Sequence, residues 1–183
     1  MSKLQPSFKT VGTESLSAEF SALDVNQMLS ERRFQAIVHA LLWRESPDGL
    51  QICLHQRQQT GVMDGYWVCP GGRLAAGERP AVSVRREIRE ELGVELVNPR
   101  LIGLLTFAMP TRFGNQVDQT TGVNYVFATN CWRGDAYAAE PHLHSAPMFF
   151  GAETLPDPHP TWVQDMAEHL CSGSAMLMKH YTD

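Results

Sequence analysis

From Gly72 to Val94 the chain reads GRLAAGERPAVSVRREIREELGV, a glycine loop followed by a segment whose glutamates converge only if it is helical. Pro80 suits a first helical turn, where its missing N–H costs little, and Gly93 suits the left-handed stop after Leu92. Between them Ala81, Val84, Ile88 and Leu92 recur at helical spacing and make a narrow apolar stripe for a core. Stepping by about 100° per residue from Glu87 puts Glu90 near roughly 300° and Glu91 near roughly 40°, an arc of about 100° beside that stripe. Carboxylates this close repel, at roughly 0.2–0.5 kcal/mol for each like-charge pair. A cation held among them reverses the sign. Hard divalent ions take carboxylate oxygens, and Mg²⁺ adds waters and substrate phosphates to them. Arg86, four residues before Glu90, can pair with that carboxylate and fix its rotamer. An ordinary Glu-rich helix reads as a solvated face; the glycine loop in front of this one decides for a metal site.

Cys69-Pro70-Gly71-Gly72 ends a predicted strand, Tyr66 to Cys69, and lets the backbone turn with few side chains in the way. A carbonyl exposed there can serve as an oxygen ligand. The whole segment follows the spacing Gly-x5-Glu-x7-Arg-Glu-aliphatic-x-Glu-Glu-x-Gly-aliphatic. Gly72, Glu78, Arg86, Glu87, Glu90, Glu91 and Gly93 hold the fixed positions, with Ile88 and Val94 in the aliphatic slots. At average residue usage the fixed positions coincide by chance in on the order of one window in 10⁸. The segment resembles the Nudix box of hydrolases that cleave a nucleoside diphosphate linked to another group. That resemblance implies Mg²⁺, with Mn²⁺ able to substitute, held by Glu90, Glu91 and the Gly71 carbonyl. It implies Glu87 either bridging metals or taking the proton from attacking water, and Arg86 orienting Glu90. Glu78 then holds the loop–helix junction, while Gly72 and Gly93 are structural positions of the box.

Outside the box the resemblance is looser. Arg57 to Trp67 (RQQTGVMDGYW) is similar to the Arg…Thr-Gly…Asp-Gly-x-Trp stretch of the MutT-like branch. This makes Arg57 a candidate for phosphate oxygens, which a guanidinium suits by geometry. Trp67 and Tyr66 are candidates for stacking on a base, although an aromatic in a strand is more often core. Arg73 stands where the branch often has histidine and joins the substrate-binding candidates, and Pro110-Thr111 replaces the histidine that commonly precedes Arg112. Downstream, Trp132-Arg133-Gly134, Glu140-Pro141 and Met148-Phe149-Phe150 match a family pattern in which a loop glutamate reaches the metal, and Glu140 has the matching offset. Trp67, Asn124 or a residue of the 108–122 loop is expected to read the base. His142 and His144 flank Leu143; with no cysteine or third ligand near them in sequence, they read as a solvated loop rather than a zinc site.

Phe34 to Trp43 and Leu50 to Arg57 read as strands joined by the Ser46-Pro47-Asp48-Gly49 turn. Leu101 to Met109, Val123 to Trp132 and Pro147 to Phe150 are further strands, and Trp162, Met166 and Leu170 mark a helix over Thr161 to Cys171. Strands interleaved with two principal helices predict an α/β fold with a mixed sheet between helices, and the Nudix fold is an α/β/α sandwich of that kind. Residues 34–183 form the expected catalytic domain. Residues 1–33 form an extension, with Leu16, Phe20, Leu23 and Met28 suggesting helix, and two roles are open for it: packing on the domain or a homodimer contact.

The chain has 183 residues, a net charge of −5 and no basic run, which speaks against a nonspecific nucleic-acid surface. No apolar run approaches the ~18 residues of a membrane span. Cys53, Cys69, Cys131 and Cys171 lack a C-x-x-C pair and read as reduced, mostly buried thiols of a cytoplasmic protein. No Gly-x-Ser-x-Gly elbow, P-loop or Rossmann glycine pattern is present. The expected activity is therefore Mg²⁺-dependent hydrolysis of a pyrophosphate bond in a small-molecule nucleotide, foremost a nucleoside triphosphate, oxidised ones included, to monophosphate and pyrophosphate. The alternatives are a dinucleoside polyphosphate, a nucleotide sugar or ADP-ribose. A non-catalytic nucleotide sensor on the same fold ranks below these, because all the box glutamates are present.

Overall fold

Alternating and continuous apolar runs make the framework. The computed structural model describes residues 34–113 and 116–182, with the backbone only between 109 and 119. The predicted N-terminal helix therefore lies outside the described residues. β1 (Phe34–Ser46) and β2 (Gly49–Gln56) are antiparallel, closed by a turn in which the Asp48 N–H donates to Ser46 Oγ at 3.2 Å. β3 (Trp67–Val68) pairs antiparallel with the end of β2, and β4 (Gly71–Arg73) pairs with the first half of β1 in the register Ile37 to Arg73 and His39 to Gly71. The long hairpin of β6 (Arg100–Phe113) and β7 (Gln116–Thr129) adds β7 parallel to β1. β9 (Met148–Gly151) pairs with β2, and β10 (Leu177–Tyr181) runs parallel to β6 at the far edge. The result is a mixed eight-stranded sheet, with a separate two-stranded pair of β5 (Glu95–Leu96) and β8 (Trp132–Arg133).

The pleat of β1 sends alternate side chains to opposite faces. Val38, Ala40 and Leu42 join Val84, Ile88 and Leu92 of α1 (Pro80–Leu92), while Leu41 joins Val163, Met166 and Ala167 of α2 (Thr161–Ser172). Each face of the sheet thus packs on one helix, and the α/β sandwich expected from the sequence is the observed architecture. In α1 the stripe is buried at Val84, Ile88 and Leu92, but Ala81 is exposed and Ser83 takes the buried place beside them. α1 starts at Pro80 and stops at Gly93, whose N–H donates to the Arg89 carbonyl.

Differences are local. The run predicted as one strand from Val123 breaks at Thr129, whose hydroxyl donates to the carbonyls of Val97 and Cys131, and Trp132 pairs with Leu96 instead. The predicted strand from Tyr66 to Cys69 shrinks to Trp67–Val68. Of the cysteines, Cys53 and Cys69 are buried while Cys131 and Cys171 are exposed. Among the described residues no helix is long and apolar enough to cross a membrane.

Candidate metal centre

The box loop and α1 are fastened to the sheet through β4. Gly71 leaves no room for a side chain: a Cβ there would stand 2.0 Å from the Val38 carbonyl oxygen, and its φ of +152° is one that other residues rarely adopt. The next glycine is fixed from the opposite side, since a Cβ on Gly72 would meet Glu87 Oε2 at 2.3 Å. The carboxylate of Glu87 occupies the space that the glycine leaves.

Arg86 organises the outer carboxylates. Its Nη1 donates to Glu87 Oε1 at 2.8 Å and to Glu90 Oε2 at 2.9 Å. Its other edge forks onto Glu78, with Nε to Oε1 at 3.1 Å and Nη2 to Oε2 at 3.0 Å, while Nη2 also reaches the Arg73 carbonyl at 3.2 Å. Glu78 in turn accepts the Ala75 N–H at 3.2 Å, which ties the loop to the helix. The hydrogen bonds to Arg86 hold the Glu78 carboxyl well below the usual range, to about 2. Burial raises Glu87 against the pull of Arg86.

Glu91 sits apart from this network. It is 5% exposed, and its Oε2 accepts the Gly71 N–H at 2.7 Å. Burial pushes its carboxyl up to about 8, opposed by that hydrogen bond and reinforced by the charges of Glu87 and Glu140. Two buried imidazoles face it: His144 Nε2 stands 3.4 Å from Oε1 and His55 Nε2 3.9 Å from Oε2. The rings stack on one another, 4.1 Å between centroids and parallel to within 1°. Neither Nδ1 has a hydrogen-bond partner among the described residues. Burial pushes His55 down to about 2 and His144 to about 4, so both are neutral at pH 7.

The remaining candidates divide. Arg57, one residue past β2, donates from Nε to the Val62 carbonyl at 2.8 Å, and its charge acts on Glu91 and both imidazoles. Glu140 follows Ala139, whose N–H donates to the Glu91 carbonyl at 2.9 Å, so the downstream loop does arrive at the helix end that carries Glu91. Arg73 contributes its carbonyl to Arg86 and leaves its side chain exposed. Trp67 is set against Phe150, with ring centroids 4.9 Å apart, in the core on the α2 face. Asn124 is buried on β7 and its Oδ1 lies 2.9 Å from His39 Nδ1, whose ring in turn meets Trp162 at 4.7 Å.

His142 is exposed as expected, but His144 is not part of a solvated loop. It is 5% exposed and paired through the backbone with Arg57. Its third neighbours, His55 and Glu91, come from β2 and α1, so no local spacing could reveal them. His55 stands in the alternation of β2 on the same face as Cys53, which packs toward α1. That alternation was the one available signal.

A family model for the NUDIX domain matches residues 33–171. The chain belongs to the Nudix family. Among its relatives, an uncharacterised Nudix hydrolase of Bacillus subtilis, YvcI, is 51% identical over 43 residues, 24% of this chain and 27% of that one. Nucleoside triphosphatase NudI of Escherichia coli is 36% identical over 74 residues, 40% of this chain and 48% of NudI. The chain thus matches these curated relatives over half of their length or less. The MutT Nudix hydrolase of Burkholderia pseudomallei superposes with a TM-score of 0.63 at 25% identity, covering 75% of this chain and 98% of that one. The Gly71–Glu91 contact and the Arg86 fork lie within the matched residues.

Proposed function

We propose that the chain hydrolyses a pyrophosphate bond in a nucleoside triphosphate, oxidised ones included, releasing monophosphate and pyrophosphate. The observation that carries this reading is the gathering of Glu87, Glu90 and Glu91 around one glycine loop, two of them bracketed by Arg86 and the third bound by the Gly71 N–H. A buried carboxyl raised to about 8 beside two further carboxylates is a donor set short of positive charge, which fits a divalent cation. Glu87, Glu90, Glu91, the Gly71 carbonyl and Glu140 would hold Mg²⁺ or Mn²⁺. When bound, the ion neutralises phosphate charge and lowers the pKa of a bound water.

The chain's own groups do the rest. Arg86 keeps Glu87 and Glu90 in one rotamer each, so little ordering remains when the substrate arrives. Glu87, raised by burial, either bridges metals or takes the proton from the attacking water. Arg57 is the candidate for phosphate oxygens, and Asn124 and Arg73 for the rest of the nucleotide. Residues 34–183 supply all of these, and residues 1–33 are read as an added extension. The triphosphate preference is supported by the likeness to NudI and to the MutT hydrolase.

A panel of nucleotides assayed for phosphate and pyrophosphate with Mg²⁺ or Mn²⁺ tests this. Pyrophosphate release from at least one triphosphate is the expected result. Turnover of nucleotide sugars, dinucleoside polyphosphates or ADP-ribose without any on triphosphates would replace the substrate class.

A further inference from the structure

We infer that His55, His144 and Glu91 form an inner metal site for a transition ion of the Mn²⁺, Co²⁺ or Zn²⁺ kind, distinct from the all-oxygen arc of Glu87 and Glu90 and sharing Glu91 with it. One ligand atom from each of the three lies within 4.8 Å of the others, and all three side chains are buried. The separations decide against ordinary hydrogen bonding. His144 Nε2 to Glu91 Oε1 is 3.4 Å and His55 Nε2 to Oε2 is 3.9 Å, both longer than the usual N–H···O range of about 2.7–3.2 Å. Ions bound at about 2.0–2.1 Å by nitrogen and oxygen put neighbouring ligand atoms about 3.3 Å apart in a tetrahedron, close to the His144–Glu91 spacing.

The three groups are buried together, His55 to 1% and His144 to 5% exposure, so an ion held among them would be screened from solvent. Stacking of the two imidazoles brings both Nε2 edges to the two oxygens of one carboxylate. Imidazole suits Zn²⁺ and its transition-metal neighbours, whereas Mg²⁺ keeps to oxygen, so the inner site discriminates by chemistry against the ion proposed for the outer arc. Glu91 is the common wall: Oε2 is fixed by Gly71 and Oε1 faces His144.

The inference rests on the reading of Glu91 as a metal ligand, and its test keeps the two apart. The full chain, without nucleotide and in excess Mg²⁺, is titrated with Co²⁺ and followed by visible absorption. Saturation at a single equivalent is expected, with His55→Gln and His144→Gln each weakening Co²⁺ at least about tenfold and Glu90→Gln leaving Co²⁺ affinity close to wild type. The wild-type Co²⁺ protein should also show hyperfine-shifted, exchangeable imidazole N–H resonances, a readout that no variant's folding can confound. Unchanged Co²⁺ affinity in both histidine variants, or a wild-type spectrum without such resonances, overturns the inner site. Pyrophosphate release on the same preparations separates the readings. Turnover with Mg²⁺ but no Co²⁺ site leaves the proposed function standing, and a Co²⁺ site without turnover on any nucleotide leaves only the inner site standing.

Discussion

Two clusters on one helix handle negative charge in opposite ways. Glu87 and Glu90 lean outward and share a guanidinium that the sequence itself supplies four residues before Glu90. Glu91, one residue further on, turns inward and meets a backbone N–H and two neutral imidazoles but, among the described residues, no side-chain cation within salt-bridge reach. The outer pair is preorganised before anything binds. The inner carboxyl is held in place yet left electrically unfinished, so the largest response to an ion belongs to Glu91.

The comparison breaks most visibly at Glu91. Glu91→Gln keeps the shape and removes the charge, and should lower Mg²⁺-dependent turnover by on the order of 10²–10⁴. The same variant should melt higher than wild type in EDTA at pH 8, because an amide has no ionisation to resist. Full turnover in Glu91→Gln would end the assignment. Arg86→Lys is next: an ammonium cannot reach Glu78, Glu87 and Glu90 together as the planar fork does, and turnover should fall about 10–100-fold with a raised Mg²⁺ requirement. Equal activity at all Mg²⁺ concentrations would show that the outer pair needs no such bracket.

The smallest effect is on metal-free stability against pH. For Glu91 the folded value of about 8 lies above the ordinary glutamate value of 4.5, so its contribution is fully present below pH 4.5 and is lost as pH rises through 8. His55 and His144 have the opposite sign: lowered from 6.5 to about 2 and about 4, they support the fold above pH 6.5 and cease to as pH falls through those values. Melting temperatures in EDTA should therefore fall by on the order of several degrees from pH 6.5 to pH 8 relative to those with Mg²⁺ or Mn²⁺. Parallel curves with and without metal would place the ion away from Glu91.

The outer cluster was legible because every member lies on one helix or its entry loop, where a period of about 3.6 residues converts spacing directly into geometry. Arg86 was expected to orient Glu90, and the structure adds Glu87 and both oxygens of Glu78 to its grip. The inner cluster was not legible. His55 and His144 are brought together by the strand end at Arg57, which bridges to His144, and that pairing has no local pattern. For a similar reason β4 escaped detection: Gly-Gly-Arg has no apolar alternation, and its pairing is dictated by β1 passing close overhead. β10 was missed as well, since Leu177–Tyr181 carries polar residues at an edge where little needs burying. The sandwich itself was readable from the order of strands and helices. Trp67, a candidate for stacking on a base, is half-buried and meets Phe150 edge-on, a contact with a residue far along the chain that no local pattern announces.

The Gly71 amide gives the centre a spectroscopic voice of its own. Its N–H points at Glu91 Oε2 from 2.7 Å, while the residue is held in register with His39 on β1. Any change in the charge on that carboxylate must pass through this hydrogen bond. Glycine amides resonate in an uncrowded part of a nitrogen–proton spectrum, so this signal can report occupancy ion by ion and pH by pH. No substitution is needed near the chemistry.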